Sequence, residues 1–143
     1  MTLLLIQLAA TLTLTGLVLF VAAVHYPLYD KVGRDAFSAY QHAHMRRTTF
    51  VVAPLALADT FAATLWLLPM YGDWSRPFTG APAAGFALVA AWIGMTLFVQ
   101  VPQHAVLSHG FEPHAWRTLC RSHWLRTALL AARSALLLWT VAA

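Results

Sequence analysis

Four long apolar runs, separated by polar and breaker-rich stretches, set the pattern of this chain. Thr2–Val24 carries no charged residue, and Thr48–Leu68 is interrupted only by Pro54 and Asp59. Ala83–Val101 is again uncharged, and Trp124–Ala143 holds Arg126 and Arg133. Each run is close to the roughly 20 residues that an α-helix needs to cross a bilayer. The pattern predicts an all-α integral membrane protein: a single domain, residues 1–143, folded as a four-transmembrane-helix bundle with spans at 2–24, 48–68, 83–101 and 124–143. Pro27 and Pro102 are expected to close the first and third spans, because proline disfavours helix at the residue before it. Pro69 to Pro82, with Gly72, Asp73, Pro77 and Gly80, reads as a turn-rich connection. The stretch from Asp35 has no breaker before the second span, and Glu112-Pro113 resembles a helix start. Helices two and four should therefore extend beyond the membrane on one side.

Composition supports this reading. Of 143 residues, 60% are hydrophobic and only 10% charged, too few charges to cover a soluble domain of this size. A net charge of +4 and a pI near 9.8 do not indicate a nucleic-acid partner, since the basic residues flank apolar runs and form no stripe on a soluble face. Cys120 is the one cysteine, which excludes an intrachain disulfide. No Lys or Arg precedes the first apolar run, so it reads as a retained span and not as a signal peptide. Lys31, Arg34, Arg46, Arg47, Arg117 and Arg121 gather at one end, while the other side has only Arg76. The positive-inside rule places the basic end in the cytoplasm and both termini on the periplasmic side of a bacterial inner membrane.

An internal match adds detail. Shifted by 79 positions, His25-Tyr-Pro-Leu28 falls on His104-Ala-Val-Leu107, and His44-Met-Arg-Arg47-Thr48 on His123-Trp-Leu-Arg126-Thr127. A parallel duplication of two helical hairpins would give this pattern, and so would chance in two apolar halves. Either way, His25, His44, His104 and His123 should share one depth at the basic end. Helical spacing puts Gln7, Thr11 and His25 on one stripe, Tyr40, His44, Arg47 and Val51 on another, and pairs Gln100 with His104 and Trp116 with His123. Polar residues in membrane helices usually face the bundle interior, so a shared site is expected. The plainer alternative leaves each imidazole at the interface among water and headgroups. His42, His109 and His114 read as solvated.

Three chemistries suit four such histidines. They could ligate a transition metal, with Fe, Cu or Zn all compatible with imidazole. His44 and His123 could hold haem b axially. The cluster could also do acid–base work without a metal. Arg47 and Arg126, one turn deeper, could bind an anionic or carbonyl-bearing substrate, or snorkel to headgroups. Asp59 and Arg133 lie well inside their spans, where burying either alone is costly. An ion pair between helices two and four is the economical solution, serving bundle registration or, in a functional role, a proton relay or substrate clamp. The aromatics Trp66, Trp74, Trp92, Trp116, Trp124, Tyr26, Tyr29 and Tyr71 read as an interfacial belt, and the many alanines suit close helix contact.

Taken together, His25-Tyr-Pro-Leu, His44-Met-Arg-Arg47, Asp59 and Gln100-Val-Pro-Gln-His104 resemble the small four-helix bacterial membrane proteins of the anthrone-oxygenase-like type. That resemblance implies oxygenase or oxidoreductase activity on a hydrophobic aromatic substrate, with His25, His44, His104 and Asp59 as the residues to carry over. The leading expectation is thus a metal- or haem-dependent membrane oxidoreductase acting on a lipophilic small molecule. Its rivals are a non-catalytic accessory subunit of a larger membrane complex and a small transporter that would need to form a homo-oligomer.

Overall fold

A computed structural model describes residues 2–68 and 80–142. Helix α1 (Thr2–Phe20) continues through a π-helical turn, Val21–His25, into a 3-10 turn, Pro27–Lys31. Helix α2 (Arg34–Trp66) follows. After residues 69–79, which lie outside the described residues and include Tyr71, Trp74, Arg76 and most of the expected turn-rich connection, come α3 (Ala81–Met95), a π-helical turn at Thr96–Gln100 and α4 (Val101–Ser108). Helix α5 (Pro113–Ala142) completes the chain. Four segments are long and apolar enough to cross a membrane: Thr2–Lys31, Arg34–Trp66, Ala81–Ser108 and Pro113–Ala142. The all-α four-helix membrane bundle is as expected from the apolar pattern.

The span boundaries differ from that pattern at both prolines. Neither Pro27 nor Pro102 ends its helix. A helical proline lacks an N–H and its ring clashes with the carbonyl four residues back. Both clashes are avoided by widening the preceding turn. The Tyr26 N–H donates to Val21 O at 2.9 Å, and the Val101 N–H donates to Thr96 O, each bond reaching back five residues from the position just before proline. The first and third spans are consequently about two turns longer than the apolar runs suggest. Helices α2 and α5 also begin well before theirs, as the breaker-free stretches predict. At the start of α5 the Glu112 carboxylate accepts the backbone N–H groups of His114 and Ala115, and Gly110 makes the preceding turn with a φ of 145° that side chains rarely adopt.

Helix α1 packs against α2 and α5, and α3 against α5 and α2. Three apolar clusters stack along the bundle. Tyr29, Phe37, Leu107 and Leu119 fill the basic end, Leu14, Val18, Trp92 and Leu130 the middle, and Trp66, Ala81 and Leu137 the far end.

Between the middle and far clusters lies a buried polar knot. Arg133 and Asp59 are both fully buried and form a two-pronged ion pair, Nη2 to Oδ1 at 2.8 Å and Nε to Oδ2 at 3.0 Å. Thr11 Oγ1 donates to Asp59 Oδ1, and the guanidinium also donates to Gln7 Oε1 and to the Gly85 carbonyl. All four spans thus contribute to one network. Gly85 is required by space: a Cβ there would stand 3.0 Å from Arg133 Nη1 and 3.1 Å from the Trp66 ring.

The aromatic belt is corrected in part. Trp66, Trp92, Tyr26 and Tyr29 are buried, because they serve as core; Trp124 is strongly exposed. The small-residue contacts hold at Ala10, Ala62 and Ala63, which are buried, whereas Ala9, Ala58, Ala90 and Ala91 face outward.

Candidate functional site

The four histidines do lie at one end of the bundle, but they do not form one symmetric set. The rings of His25 and His44 stack with centroids 4.7 Å apart, and His25 Nε2 lies 2.9 Å from His44 Nδ1. The π-helical turn ends at His25, so this pair depends on the widened backbone that Pro27 requires. Tyr40 Oη stands 3.5 Å from His25 Nε2, and Thr48 Oγ1 is 3.2 Å from His44 Nδ1.

His104 and His123 are buried deeper and are tied elsewhere. His104 Nε2 bonds the Tyr26 hydroxyl at 2.8 Å, and its Nδ1 bonds the Gln41 amide at 2.7 Å. His123 Nε2 lies 3.1 Å from the carbonyl of Val18, and its Nδ1 lies 3.1 Å from Arg126 Nη1. A guanidinium can only donate. His123 Nδ1 is therefore the acceptor, and its Nε2–H donates to Val18 O. Gln100 supports this corner, donating to Ser122 Oγ at 2.6 Å.

Tyr26 stands at the centre. Its ring meets His123 edge-on at 4.7 Å, His104 at 5.6 Å and His44 at 6.2 Å, and its carbonyl accepts the Trp116 indole N–H. Its position beside Pro27 near a span end suggests only an interfacial ring. The histidine spacing that locates the cluster gives no sign of the tyrosine between them. Gln41 is likewise absent from the sequence pattern; only its place one turn before the His44–Met45 segment of α2 could signal it.

This geometry bears on each expected site residue. His104 and His123 have both ring nitrogens engaged, so the four imidazoles do not fit one shared ion. Among the described residues, no group of three or more His, Cys, Asp or Glu side chains is arranged to hold a metal. Haem b between His44 and His123 does not fit either, because the Tyr26 ring packs against both. His25 and His44 are the pair left with nitrogens facing each other. Arg126 does not snorkel: it is buried, bound to His123, and its guanidinium lies 5.0 Å over the Trp92 ring. Arg47 is exposed. Asp59 and Arg133 are held by each other and by Gln7, Thr11 and Gly85, far from the histidines along their helices. His42, His109 and His114 are exposed, as expected.

The His25–His44 pair opens sideways into a groove of about 360 Å³ between the first two spans. Its walls are Leu17, Phe20 and Val21 on one side and Val51 and Val52 on the other. Its polar end is formed by His25, Tyr40, His44, Arg47 and Thr48. The stripe Tyr40–His44–Arg47–Val51 expected from helical spacing is the α2 wall of this groove. Phe20 is 55% exposed and Val51 50%, so the groove faces the lipid.

No protein-family model, no curated protein and no solved structure matches the chain.

Proposed function

We propose that this protein takes a lipophilic small molecule from the bilayer into the groove between its first two spans and exchanges protons with it at the His25–His44 pair. The basic end of the bundle lies on the cytoplasmic side of a bacterial inner membrane in this reading, with both termini periplasmic. The observation that carries it is the 2.9 Å contact of two ring nitrogens at the polar end of an apolar, lipid-facing groove. A hydrogen-bonded imidazole pair can accept a proton on one ring while releasing one from the other. Imidazole carries one nitrogen that accepts a proton and one that donates, which suits it to this work. The groove volume lies within the range of small-molecule sites, and an apolar lining with few polar groups is their usual composition.

Side-chain ¹⁵N NMR of the histidines, with 1-naphthol as the probe, tests this reading. Addition of the probe should move the His25 and His44 signals and leave His104 and His123 in place. Equal movement of all four, or of none, would contradict it.

Metal chemistry, redox at Fe or Cu or Lewis-acid at Zn, is a second reading, favoured by one observation. His25 Nε2 and His44 Nδ1, 2.9 Å apart, are close enough that both would reach one ion. These two nitrogens would be the ligands. Metal analysis of protein purified in mild detergent separates the readings: stoichiometric metal lost on His25→Ala favours the second, and its absence the first.

A further inference from the structure

The groove has one charge sign. Arg47 is the charged residue of its lining, and no Asp or Glu contributes to it. Ion pairs among the described residues join Lys31 to Asp30 and Arg133 to Asp59, so Arg47 has no carboxylate partner there. It lies one helical turn deeper than His44, on the same wall, at the boundary between the polar end and the Val51–Val52 surface. A cation at this depth is costly unless it reaches the interface or meets an anion. The contrast with Arg133 is informative, since the fold supplies that guanidinium with an acid of its own.

The polar groups beside Arg47 share its preference. Thr48 and Tyr40 carry hydroxyls, and the hydrogen-bonded His25–His44 pair keeps one ring N–H beyond the one shared between the rings, each able to donate to an oxygen. The walls beyond them are purely apolar. Charge and polarity therefore run along the groove in the order of an amphiphile with an acidic head. A volume near 360 Å³ equals about a dozen water volumes, enough for one chain segment or a small ring system but not for two acyl chains.

We propose that the ligand of this groove is a lipophilic acid, single-chained or ring-bearing, whose ionised oxygen lies between the Arg47 guanidinium and the His25–His44 pair. Its apolar body runs along Leu17, Phe20, Val21, Val51 and Val52. This deepens the function proposed above and rests on it. An acidic head also supplies the proton that the imidazole pair accepts. The acid transfers that proton to the pair on entering, and Arg47 holds the resulting anion.

The test compares dodecanoic acid with methyl dodecanoate, which has the same chain without the acid. Retention of each by the full chain in neutral detergent is measured by native mass spectrometry, for wild type, Arg47→Gln and Arg47→Lys. A charge-assisted hydrogen bond is worth about 1.5–3 kcal/mol, which converts to at least about tenfold in binding. The wild type should retain the acid at least about tenfold more tightly than the ester. Arg47→Gln should abolish that preference, and Arg47→Lys should restore part of it. Because Arg47 is exposed, neither variant is expected to disturb folding. Equal retention of acid and ester, insensitive to Arg47→Gln, overturns the acidic ligand while leaving a lipophile site. Retention of neither probe, with unmoved His25 and His44 NMR signals, overturns the groove as a site altogether.

Discussion

Asp59 and Arg133 meet deep in the bundle through two parallel bonds, and both side chains are wholly buried. They come from the second and fourth spans, and Gln7, Thr11 and Gly85 bring in the first and third. This arrangement fixes the rotational setting of all four helices at one level. Breaking such a pair on one side leaves a stranded charge, which costs far more than the intact pair contributes.

Asp59→Ala should destabilise the bundle by about 3 kcal/mol, because Arg133 is left in low dielectric. Adding Arg133→Leu should recover part of the loss. Unfolding in mixed micelles measures both. A double variant no more stable than Asp59→Ala alone would show that the pair does not act as described.

Gly85→Ala tests the same knot from the backbone side. The added Cβ would press on a hydrogen-bonded guanidinium and on the buried Trp66 ring, neither of which can readily yield. Overpacking of this kind costs roughly 1–3 kcal/mol. Gly94→Ala, where a Cβ meets nothing within 4 Å, is the control and should be neutral or slightly stabilising through helix propensity. Equal effects at the two positions would contradict the close approach.

Much of this is legible from the sequence, for identifiable reasons. Two opposite charges in apolar runs have few low-energy solutions, so Asp59 and Arg133 predict their own pairing. The spacing of Tyr40, His44, Arg47 and Val51 fixes a stripe whatever the stripe faces. The common depth of four histidines follows from their places at span ends. What the stripe faces, and how the imidazoles divide, depends on tertiary placement. Tyr26 enters the cluster because a π-helical turn rotates the chain before Pro27, and no local pattern distinguishes that turn from a helix end. The same holds for Pro102. Trp66 and Trp92 read as interfacial because composition alone does not separate a core indole from a belt indole.

Tyr26→Phe removes the hydroxyl that bonds His104 Nε2 at 2.8 Å and leaves that nitrogen unpaired in the interior. A loss of about 1–3 kcal/mol is expected. Gln41→Leu removes the partner of the other nitrogen, and the two losses should be non-additive because both act on one ring. Strict additivity in a double-variant cycle would argue against a shared His104.

Glu112 supplies a pH-dependent contribution outside the membrane. Its carboxyl is held below the ordinary value of 4.5, first by the His114 N–H and then by that of Ala115. A lowered folded value means the contribution is present above the unfolded value and is lost as pH falls through the folded one. Hydrogen exchange at the first turn of α5, corrected for intrinsic rates, should therefore rise at acid pH in the wild type. In Glu112→Gln it should be raised already at neutral pH. A wild type and variant that behave alike throughout would contradict the capping role.

Photolabelling with a lipophilic diazirine, followed by mass-spectrometric mapping, bears most directly on the groove as the working site. Leu17, Phe20, Val51 and Val52 line the groove, whereas Phe50, at 83% exposure, and Phe98, at 81%, present side chains to lipid away from it. The account predicts label concentrated on the four groove residues, suppressed there by excess 1-naphthol and reduced by the His25→Ala, His44→Ala double variant. Label spread over Phe50 and Phe98 as densely as over the groove, and indifferent to 1-naphthol, would show ordinary lipid contact and contradict it.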